Sequence, residues 1–475
     1  MLTTLRSWWQ DKLLKGVLKN SSYLFSSNTL SAALSMVNTI FATRLLGVDG
    51  LGLVATVQTF TSNINRLLSF RMSEVVVKFF GQVIASEQDD AAPALQNSRV
   101  PAISNTQAAA IVKGIGLIEA ATSILAYLVL LLLTPWASRV FAKDPSVAVL
   151  FRIYGLMLLA NLVYETSTGV LQSYRRFNWL ANINGLQSVV TAILILLVFL
   201  LKFGVLEVLE AYLVGKALAG IAVSILAVRQ LGRSLGGGWW KSSLGEEKGW
   251  RTILGFALNT NLNGTVNLVT RDNIALYLLA LTPSALALTY VGYYKLGLSI
   301  INFITLPIDP FIWPTYAEIT RTIALSQWQK TRSLLKRVST IAGAWTLAAT
   351  LGIALLGWWL IPLVFGPGTS PVYPVALILL AGYGTANVLN WNRPLLLALG
   401  KPSYPLLVSL EVGAVEVLLI LWLVPTGGYL ATAAILAGYL AVSIGITAWR
   451  GWREMRVREA RELFPAEPVS KDVAV

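Results

Sequence analysis

The sequence contains no cysteine and no histidine among its 475 residues. Without these two residue types the chain has no disulfide, no thiol nucleophile, no histidine metal ligand and no histidine proton relay. Any catalytic chemistry would therefore depend on carboxylates, lysine or tyrosine. The sequence predicts no catalytic residue, no metal site and no cofactor.

Charged residues are scarce as well. They make up 13% of the chain, against about 25% in an ordinary soluble domain, whereas hydrophobic residues make up 55%. A membrane-spanning helix needs about 20 apolar residues, and runs of this length recur along the chain. The sequence therefore predicts an all-α integral membrane protein with about twelve transmembrane helices. Their predicted bounds are 23–45, 51–74, 109–134, 147–171, 178–202, 206–228, 252–281, 284–308, 338–365, 372–399, 403–424 and 428–449.

The loops between these helices are short, the longest being 75–108 and 229–251, and they leave no room for an inserted soluble domain. The first 22 residues lack the apolar core of a cleaved signal peptide, and their mixture of Trp, Leu and Lys favours a helix on the membrane surface. Most of the 37 Lys and Arg residues lie in loops on the side of the N-terminus, which predicts that both termini are cytoplasmic. The net charge of +14 fits contact with anionic lipids, so no nucleic-acid partner is expected.

The spacing of polar residues indicates two related halves. An Asn/Arg ladder in the seventh helix repeats the spacing of a Ser/Thr ladder in the first helix, made of Ser27, Ser31, Ser35 and Thr39. Two six-helix halves of the same orientation would be related by a pseudo-two-fold axis along the membrane normal. The predicted organisation is an amphipathic basic N-terminus (1–22), a six-helix bundle (23–229), a basic linker (230–251), a second six-helix bundle (252–450) and a charged tail that begins as a solvated helix (451–475).

Four stretches of the sequence carry a family resemblance. They are FSSNTLSAALSMVNTIFATRLLGVDGLGLVATVQTF, TRDNIALYLLALTPSALALTYVGYYKL, LPIDPFIWPTYAEITR and VFGPGTSPVYPVALILLAGYG. The aspartate of the seventh helix, the Gly-Tyr-Tyr turn, the Pro-rich end of the eighth helix and the Phe-Gly-Pro segment resemble those of the polysaccharide-biosynthesis flippases. These proteins are the branch of the multidrug/oligosaccharidyl-lipid/polysaccharide exporter superfamily that moves lipid-linked sugars.

The resemblance implies a V-shaped, MATE-like transporter fold of two six-helix bundles, with the first and seventh helices near the centre of its cleft. It also implies translocation of a polyprenyl-(pyro)phosphate-linked oligosaccharide across the inner, cytoplasmic membrane for surface or extracellular polysaccharide. Alternating access coupled to an H⁺ or Na⁺ gradient would drive this movement. The expected partners are the lipid-linked oligosaccharide, anionic membrane lipids and the polysaccharide polymerase machinery.

Polar residues inside the predicted helices indicate a candidate cargo site. Asn259, Asn263 and Asn267 recur every fourth residue, and because a helix turns by about 100° per residue, they form one stripe that ends at Arg271. Lipid cannot satisfy these groups, so the stripe must face other helices or a water-filled cavity. Interhelical hydrogen bonding is the alternative, and it explains the Ser/Thr ladder of the first helix equally well.

Cationic side chains inside the spans indicate where a phosphate would bind. Arg271, Lys295 and Arg66 are predicted to form a cationic patch for the cargo phosphate, because Arg and Lys are its natural partners. Asn302 shares a helix face with Lys295 and is predicted to line the same cavity. For Arg66 and Lys216 the alternative is a pairing with a carboxylate or an extension to the membrane surface.

Carboxylates inside the membrane are candidates for cation coupling, because burial favours binding of a proton or a cation. Asp272 is the first candidate because it lies centrally in its helix, and Asp309 is the second. Glu411 and Glu416 are five residues apart and do not share a helix face well, which favours a structural or lipid-interface role. The carboxylates considered are Glu119, Glu165, Asp272, Asp309, Glu411 and Glu416.

Two other functions compete with the flippase. A multidrug extruder of the same superfamily would expose aromatic and acidic groups to organic cations, whereas the predicted cavity is mixed to basic. A membrane-embedded polysaccharide polymerase or ligase would carry a large external loop with catalytic residues, and the predicted external loops are short. The sequence therefore favours a transporter over an enzyme.

Overall fold

The computed structural model describes residues 12–68, 72–89, 105–247, 249–267, 273–308, 312–401 and 403–463. Within these ranges the regular secondary structure is entirely helical and comprises sixteen α-helices. They are α1 (Lys12–Leu68), α2 (Met72–Asp89), α3 (Asn105–Val140), α4 (Ala148–Gly155), α5 (Met157–Ala160), α6 (Tyr164–Ser173), α7 (Phe177–Leu200), α8 (Val205–Ser234), α9 (Trp250–Asn267), α10 (Ile274–Leu281), α11 (Ala287–Thr305), α12 (Ile312–Ala324), α13 (Trp328–Phe365), α14 (Val372–Val388), α15 (Asn392–Ala398) and α16 (Ser403–Leu463).

Eight stretches of the described chain are long and apolar enough to cross a membrane. Two of them, Thr29–Gly81 and Ser403–Ala460, have 53 and 58 residues, more than twice the length that one crossing requires. The predicted seventh and eighth spans correspond to α9, α10 and α11, which lie outside these eight stretches. Counting each of the two long stretches as two crossings gives ten, and adding the predicted seventh and eighth spans gives the twelve predicted. The prediction of an all-α, multi-pass membrane protein is confirmed.

Both long stretches bend at a glycine. Gly47 has φ 71° and ψ −177° within α1, and Gly428 has φ 53° and ψ −139° within α16. Positive φ strains residues with a Cβ atom but not glycine, which explains the residue type at both turns. The bend at Gly428 lets the two arms of α16, residues 403–427 and 429–463, line a common groove.

The chain divides into two compact units, Met1–Leu296 with Val364–Thr369 and Gly297–Leu363 with Ser370–Val475. The short segment 364–369 belongs to the first unit, where the Arg44 Nε atom donates a hydrogen bond to the Val364 carbonyl oxygen at 2.8 Å. The first unit has an apolar core in which α2 packs on α6, with contributions from α3, α7, α8 and α9. Its fully buried members include Val76, Phe80 and Val170.

In the second unit the last turns of α16 pack against α12, α13 and α15. Met455 is 0% exposed and lies in an apolar cluster with Trp328 and Trp391. On the polar side of the same turns, the Lys401 Nζ atom lies 2.8 Å from Glu454, and Arg332 pairs with Glu459. The segment after residue 450 is therefore helical as predicted, but one of its faces is packed rather than solvated.

One predicted span is interrupted, because the span at 147–171 is divided into α4, α5 and α6. Within the predicted span at 252–281, the described helices are α9 and α10, and residues 268–272 between them lie outside the described part of the chain. The predicted loop at 75–108 begins as helix, because α2 extends to Asp89. The orientation of the termini, the six-plus-six duplication and the bundle boundaries stay predictions, and part of the predicted surface helix, residues 1–11, lies outside the described residues.

Candidate functional site

The interrupted fourth span lies beside a polar site in the first unit. Helix α5 ends at Ala160 and α6 begins at Tyr164, with Asn161 (φ −110°, ψ 28°) and Val163 (φ −132°, ψ 29°) outside helical geometry. The Asn161 amide donates to the Met157 carbonyl oxygen at 2.9 Å. In membrane proteins, irregular backbone at membrane depth is tolerated where it is buried in protein or lines a cavity.

Glu119 of α3 caps the new helix start. Its Oε1 atom accepts from the Glu165 backbone N–H at 2.8 Å, and its Oε2 atom accepts from the Thr166 backbone N–H at 2.7 Å. The Glu119 side chain is buried, with 3% of the residue exposed. The first N–H groups of a helix have no partner within the helix, so this carboxyl group satisfies two donors that the broken span would otherwise leave unpaired.

Helices α2 and α8 approach the same break. The Ser73 hydroxyl of α2 donates to the Glu165 carboxylate, and α8 comes so close that a Cβ atom on Gly220 would lie 2.3 Å from the Asn161 Oδ1 atom. A larger residue at position 220 would force α8 away from the break. Glycine at this position therefore allows the polar groups of α3, α6 and α8 to converge.

A cavity of about 190 Å³ lies at this convergence. Its walls come from α1, α3, α7 and α8 and from the broken span, and they carry amides, hydroxyls, two carboxylates and one lysine. The lining residues are Asn65, Glu119, Ser123, Met157, Leu158, Asn161, Tyr164, Glu165, Gln187, Lys216 and Ala219. We refer to this cavity as the polar chamber. Its composition is exceptional for the interior of a membrane bundle, where ionisable groups generally mark function.

Lys216 is the cation of the polar chamber. Among the described residues it has no hydrogen bond or ion pair, although two carboxylates line the same cavity. Arg66, at the end of α1, is the neighbour of Asn65, which lines the same chamber. The sequence interpretation that Lys216 pairs with a carboxylate is therefore not supported by these contacts.

The predicted cargo residues lie at several places along the described chain. Arg66 is exposed beside the polar chamber, and its neighbour Asn65 lines that chamber. Lys295 is half-buried and Asn302 is exposed, both on α11. The predicted patch of Arg66, Lys295 and Arg271 stays a prediction.

The other predicted site residues lie wholly, or at their side chains, outside the described part of the chain. The backbones of the asparagine ladder belong to α9, but nothing is described of the three side chains, Asn259, Asn263 and Asn267. Arg271 and both coupling candidates, Asp272 and Asp309, lie outside the described residues. Their proposed roles stay predictions.

The Ser/Thr ladder of the first helix makes structural hydrogen bonds. The Thr39 hydroxyl donates to the Ser35 carbonyl oxygen at 2.9 Å, and the Ser188 hydroxyl of α7 donates to the Ser31 hydroxyl at 2.7 Å. These bonds engage two of the ladder's hydroxyls, that of Thr39 within α1 and that of Ser31 between α1 and α7. For these two residues the bonds favour the packing interpretation over a cargo-binding one.

Sequence comparison identifies relatives of this chain. Residues 17–319 match the family described as "Polysaccharide biosynthesis protein". The inner membrane protein YghQ of Escherichia coli (strain K12) is 22% identical over 367 residues, which are 76% of this chain and 96% of that protein.

Two solved structures have a similar fold. One is a multidrug resistance MATE family transporter of the MOP superfamily in an inward-facing conformation, with a TM-score of 0.67 and 13% identity over 90% of this chain and 96% of that chain. The other is the lipid II flippase MurJ in an inward closed conformation, with a TM-score of 0.62 and 12% identity over 93% of this chain and 90% of that chain. With the fold of the MOP superfamily transporters and a family match over most of its length, the chain belongs to the polysaccharide biosynthesis protein family.

Proposed function

We propose that this protein translocates a polyprenyl-phosphate- or polyprenyl-pyrophosphate-linked oligosaccharide across the inner membrane, with both termini in the cytoplasm. Alternating access coupled to a proton or sodium gradient would drive the movement. Membership of the polysaccharide biosynthesis family supports a sugar-containing cargo, and the transporter fold supports movement rather than synthesis. The observation that carries the proposal is the polar chamber in the first unit.

The chemistry of the polar chamber suits a glycan. Sugar hydroxyls both donate and accept hydrogen bonds, and the amides of Asn65, Asn161 and Gln187 offer both functions. Lys216 and the nearby Arg66 supply positive charge for a phosphate group. An apolar cargo would gain nothing from these groups, and their burial would then be a net cost.

The cargo site extends in this proposal to residues outside the polar chamber. Arg271 and Lys295 would receive the phosphate together with Arg66, and the asparagine ladder of α9 and Asn302 would contact the glycan. Asp272, or secondly Asp309, would bind the coupling cation. A chamber of about 190 Å³ would hold only part of an oligosaccharide, so further contacts of this kind are required.

The proposal is tested by reconstituting the purified protein in liposomes with a labelled lipid-linked oligosaccharide. We expect the label to cross the bilayer, and we expect dissipation of the proton or sodium gradient to slow the crossing. With Asp272→Asn, the label should cross at a rate that no longer responds to the gradient, because an amide cannot bind a proton or a cation as a carboxylate does. If the protein exported organic cations but did not move the glycolipid, it would be a multidrug extruder and the proposal would be wrong. If glycolipid crossing by the Asp272→Asn variant still responded to the gradient, Asp272 would not be the coupling residue.

Substitution of the cationic side chains should impair transport in the same assay in a different way. Arg271→Ala and Lys295→Ala are expected to slow glycolipid crossing while leaving the remaining rate sensitive to the gradient, because they act on the cargo phosphate. Lys330→Ala is the matched control, since Lys330 is an exposed lysine near the start of α13. Full-rate crossing by both variants at normal expression would contradict the cationic patch.

A further inference from the structure

The hairpin of α16 in the second unit contains a large apolar groove. The groove is lined by one face of each arm of the hairpin, with lining residues three or four positions apart along each helix. The volume of the groove is about 510 Å³. The lining residues are Glu411, Val412, Val415, Glu416, Leu419, Leu423, Ala431, Ala434, Ile435, Gly438, Tyr439 and Val442. Small residues on the second arm keep the groove open, and a Cβ atom on Gly438 would meet no heavy atom within 4 Å.

Glu416 is a buried carboxyl group in the largely apolar wall of the groove. It is 2% exposed, yet neither of its carboxylate oxygens has a hydrogen-bond partner among the described residues. A buried carboxyl group without a partner is destabilising, because it loses its hydration without compensation. Buried polar groups in native proteins are generally hydrogen-bonded, and an exception requires an explanation.

The depth of Glu416 restricts what could supply that partner. It lies twelve residues before the bend at Gly428 and thirteen after the start of α16, or about 18–20 Å along the helix from either end. In a hydrocarbon core about 30 Å thick, this position is near the middle of the membrane. A ligand that reaches Glu416 must therefore dissolve in the membrane.

We propose that the groove binds a lipophilic amine, a molecule with a hydrocarbon body and one protonated amino group. The amino group pairs with Glu416 in a charge-assisted hydrogen bond, which is strong in a site of low dielectric constant. The hydrocarbon body fills the space between Leu419, Ile435 and Val442. A plain acyl or polyprenyl chain would fill the same space but would leave Glu416 without a partner.

This site is separate from the polar chamber, because all of its lining residues belong to the second unit. The proposal does not depend on the identity of the transported cargo. Glu411 lies at the exposed edge of the groove and is outside the proposed contact. It therefore provides a matched carboxylate for comparison.

The test measures binding of radiolabelled dodecylamine to the full-length protein in phosphatidylcholine nanodiscs, with empty nanodiscs as the background. We expect saturable binding to the wild type and to Glu411→Gln, at least tenfold weaker binding to Glu416→Gln, and at least tenfold weaker binding of dodecanol to the wild type. Gly438→Leu keeps the carboxyl group but fills the groove, and it should weaken amine binding as well.

Equal binding of dodecylamine and dodecanol would overturn the proposal and leave a groove for uncharged hydrocarbon only. Unchanged amine binding by Glu416→Gln would overturn it too. If Glu416→Gln does not fold, Gly438→Leu decides the matter, because unweakened amine binding by that variant places the ligand elsewhere. Neither result would affect glycolipid crossing, so failure here is distinguishable from failure of the transport proposal.

Discussion

Gly52→Ala is expected to destabilise the protein and to stop transport, although it adds a single methyl group. A Cβ atom at position 52 would lie 2.0 Å from the Leu288 carbonyl oxygen, and one on Gly292 would lie 2.2 Å from the Val48 carbonyl oxygen. Helices α1 and α11 therefore touch backbone to backbone. A backbone atom cannot move aside as a flexible side chain can, so the helices must separate, and overpacking of this kind costs about 1–3 kcal/mol.

The matched control is Gly255→Ala on the exposed face of α9, where an added Cβ atom meets nothing within 4 Å. Alanine stabilises a helix relative to glycine by about 0.5–1 kcal/mol, so this variant should be neutral or more stable. Thermal unfolding in detergent and glycolipid crossing in liposomes measure both variants. Equal behaviour of the two would show that the contact between α1 and α11 does not limit stability or transport.

Glu119→Ala is expected to be the most damaging substitution in the polar chamber. It removes both hydrogen bonds to the start of α6 and leaves two buried N–H groups unpaired. Each unpaired buried N–H group costs about 1–3 kcal/mol, so the loss of this cap should lower the free energy of unfolding by about 2–6 kcal/mol. Glu119→Gln should lie between this variant and the wild type, because its amide retains only one accepting oxygen.

Glu207 provides the control for the cap. Its Oε2 atom accepts from the Gly204 backbone N–H at 2.8 Å at the start of α8, but at the exposed surface. Water can replace it there, so Glu207→Gln should change the free energy of unfolding by less than about 1 kcal/mol. If chemical denaturation gave Glu119→Ala and Glu207→Gln the same small effect, the buried cap would not support the broken span.

The transmembrane helices could be predicted because run length alone determines whether a segment can cross a bilayer. The predicted spans 109–134 and 178–202 correspond to α3 and α7. The break in the fourth span could not be predicted in this way, since residues 156–164 contain neither proline nor glycine. A contact from Glu119, 46 residues earlier in the chain, supports the break, and no local pattern reports such a contact.

The polar chamber could not be predicted from the sequence for a similar reason. Glu119, Glu165 and Lys216 could be recognised as charges inside spans, but each lies on a different helix and none belongs to a periodic ladder. A ladder can be recognised in the sequence because its residues are regularly spaced on one helix. The meeting of side chains from different helices depends on how those helices pack, which the sequence does not show locally. Close approaches such as that of Gly220 to Asn161 decide which helices meet. A single glycine in a helix does not predict such an approach, because glycine occurs in helices for several other reasons.

The start of α6 also determines which side chains of the polar chamber are already occupied by hydrogen bonds. By composition the chamber is acidic, with two carboxylates and one lysine. Glu119 is already bonded to the α6 backbone, and Glu165 to Ser73, whereas Lys216 is bonded to none of the described residues. Among the described residues, Lys216 is therefore the ionisable side chain of the chamber whose hydrogen-bond donors are all still available. In the proposed function, a phosphate group in the chamber would accept hydrogen bonds from Lys216 without displacing the cap of α6.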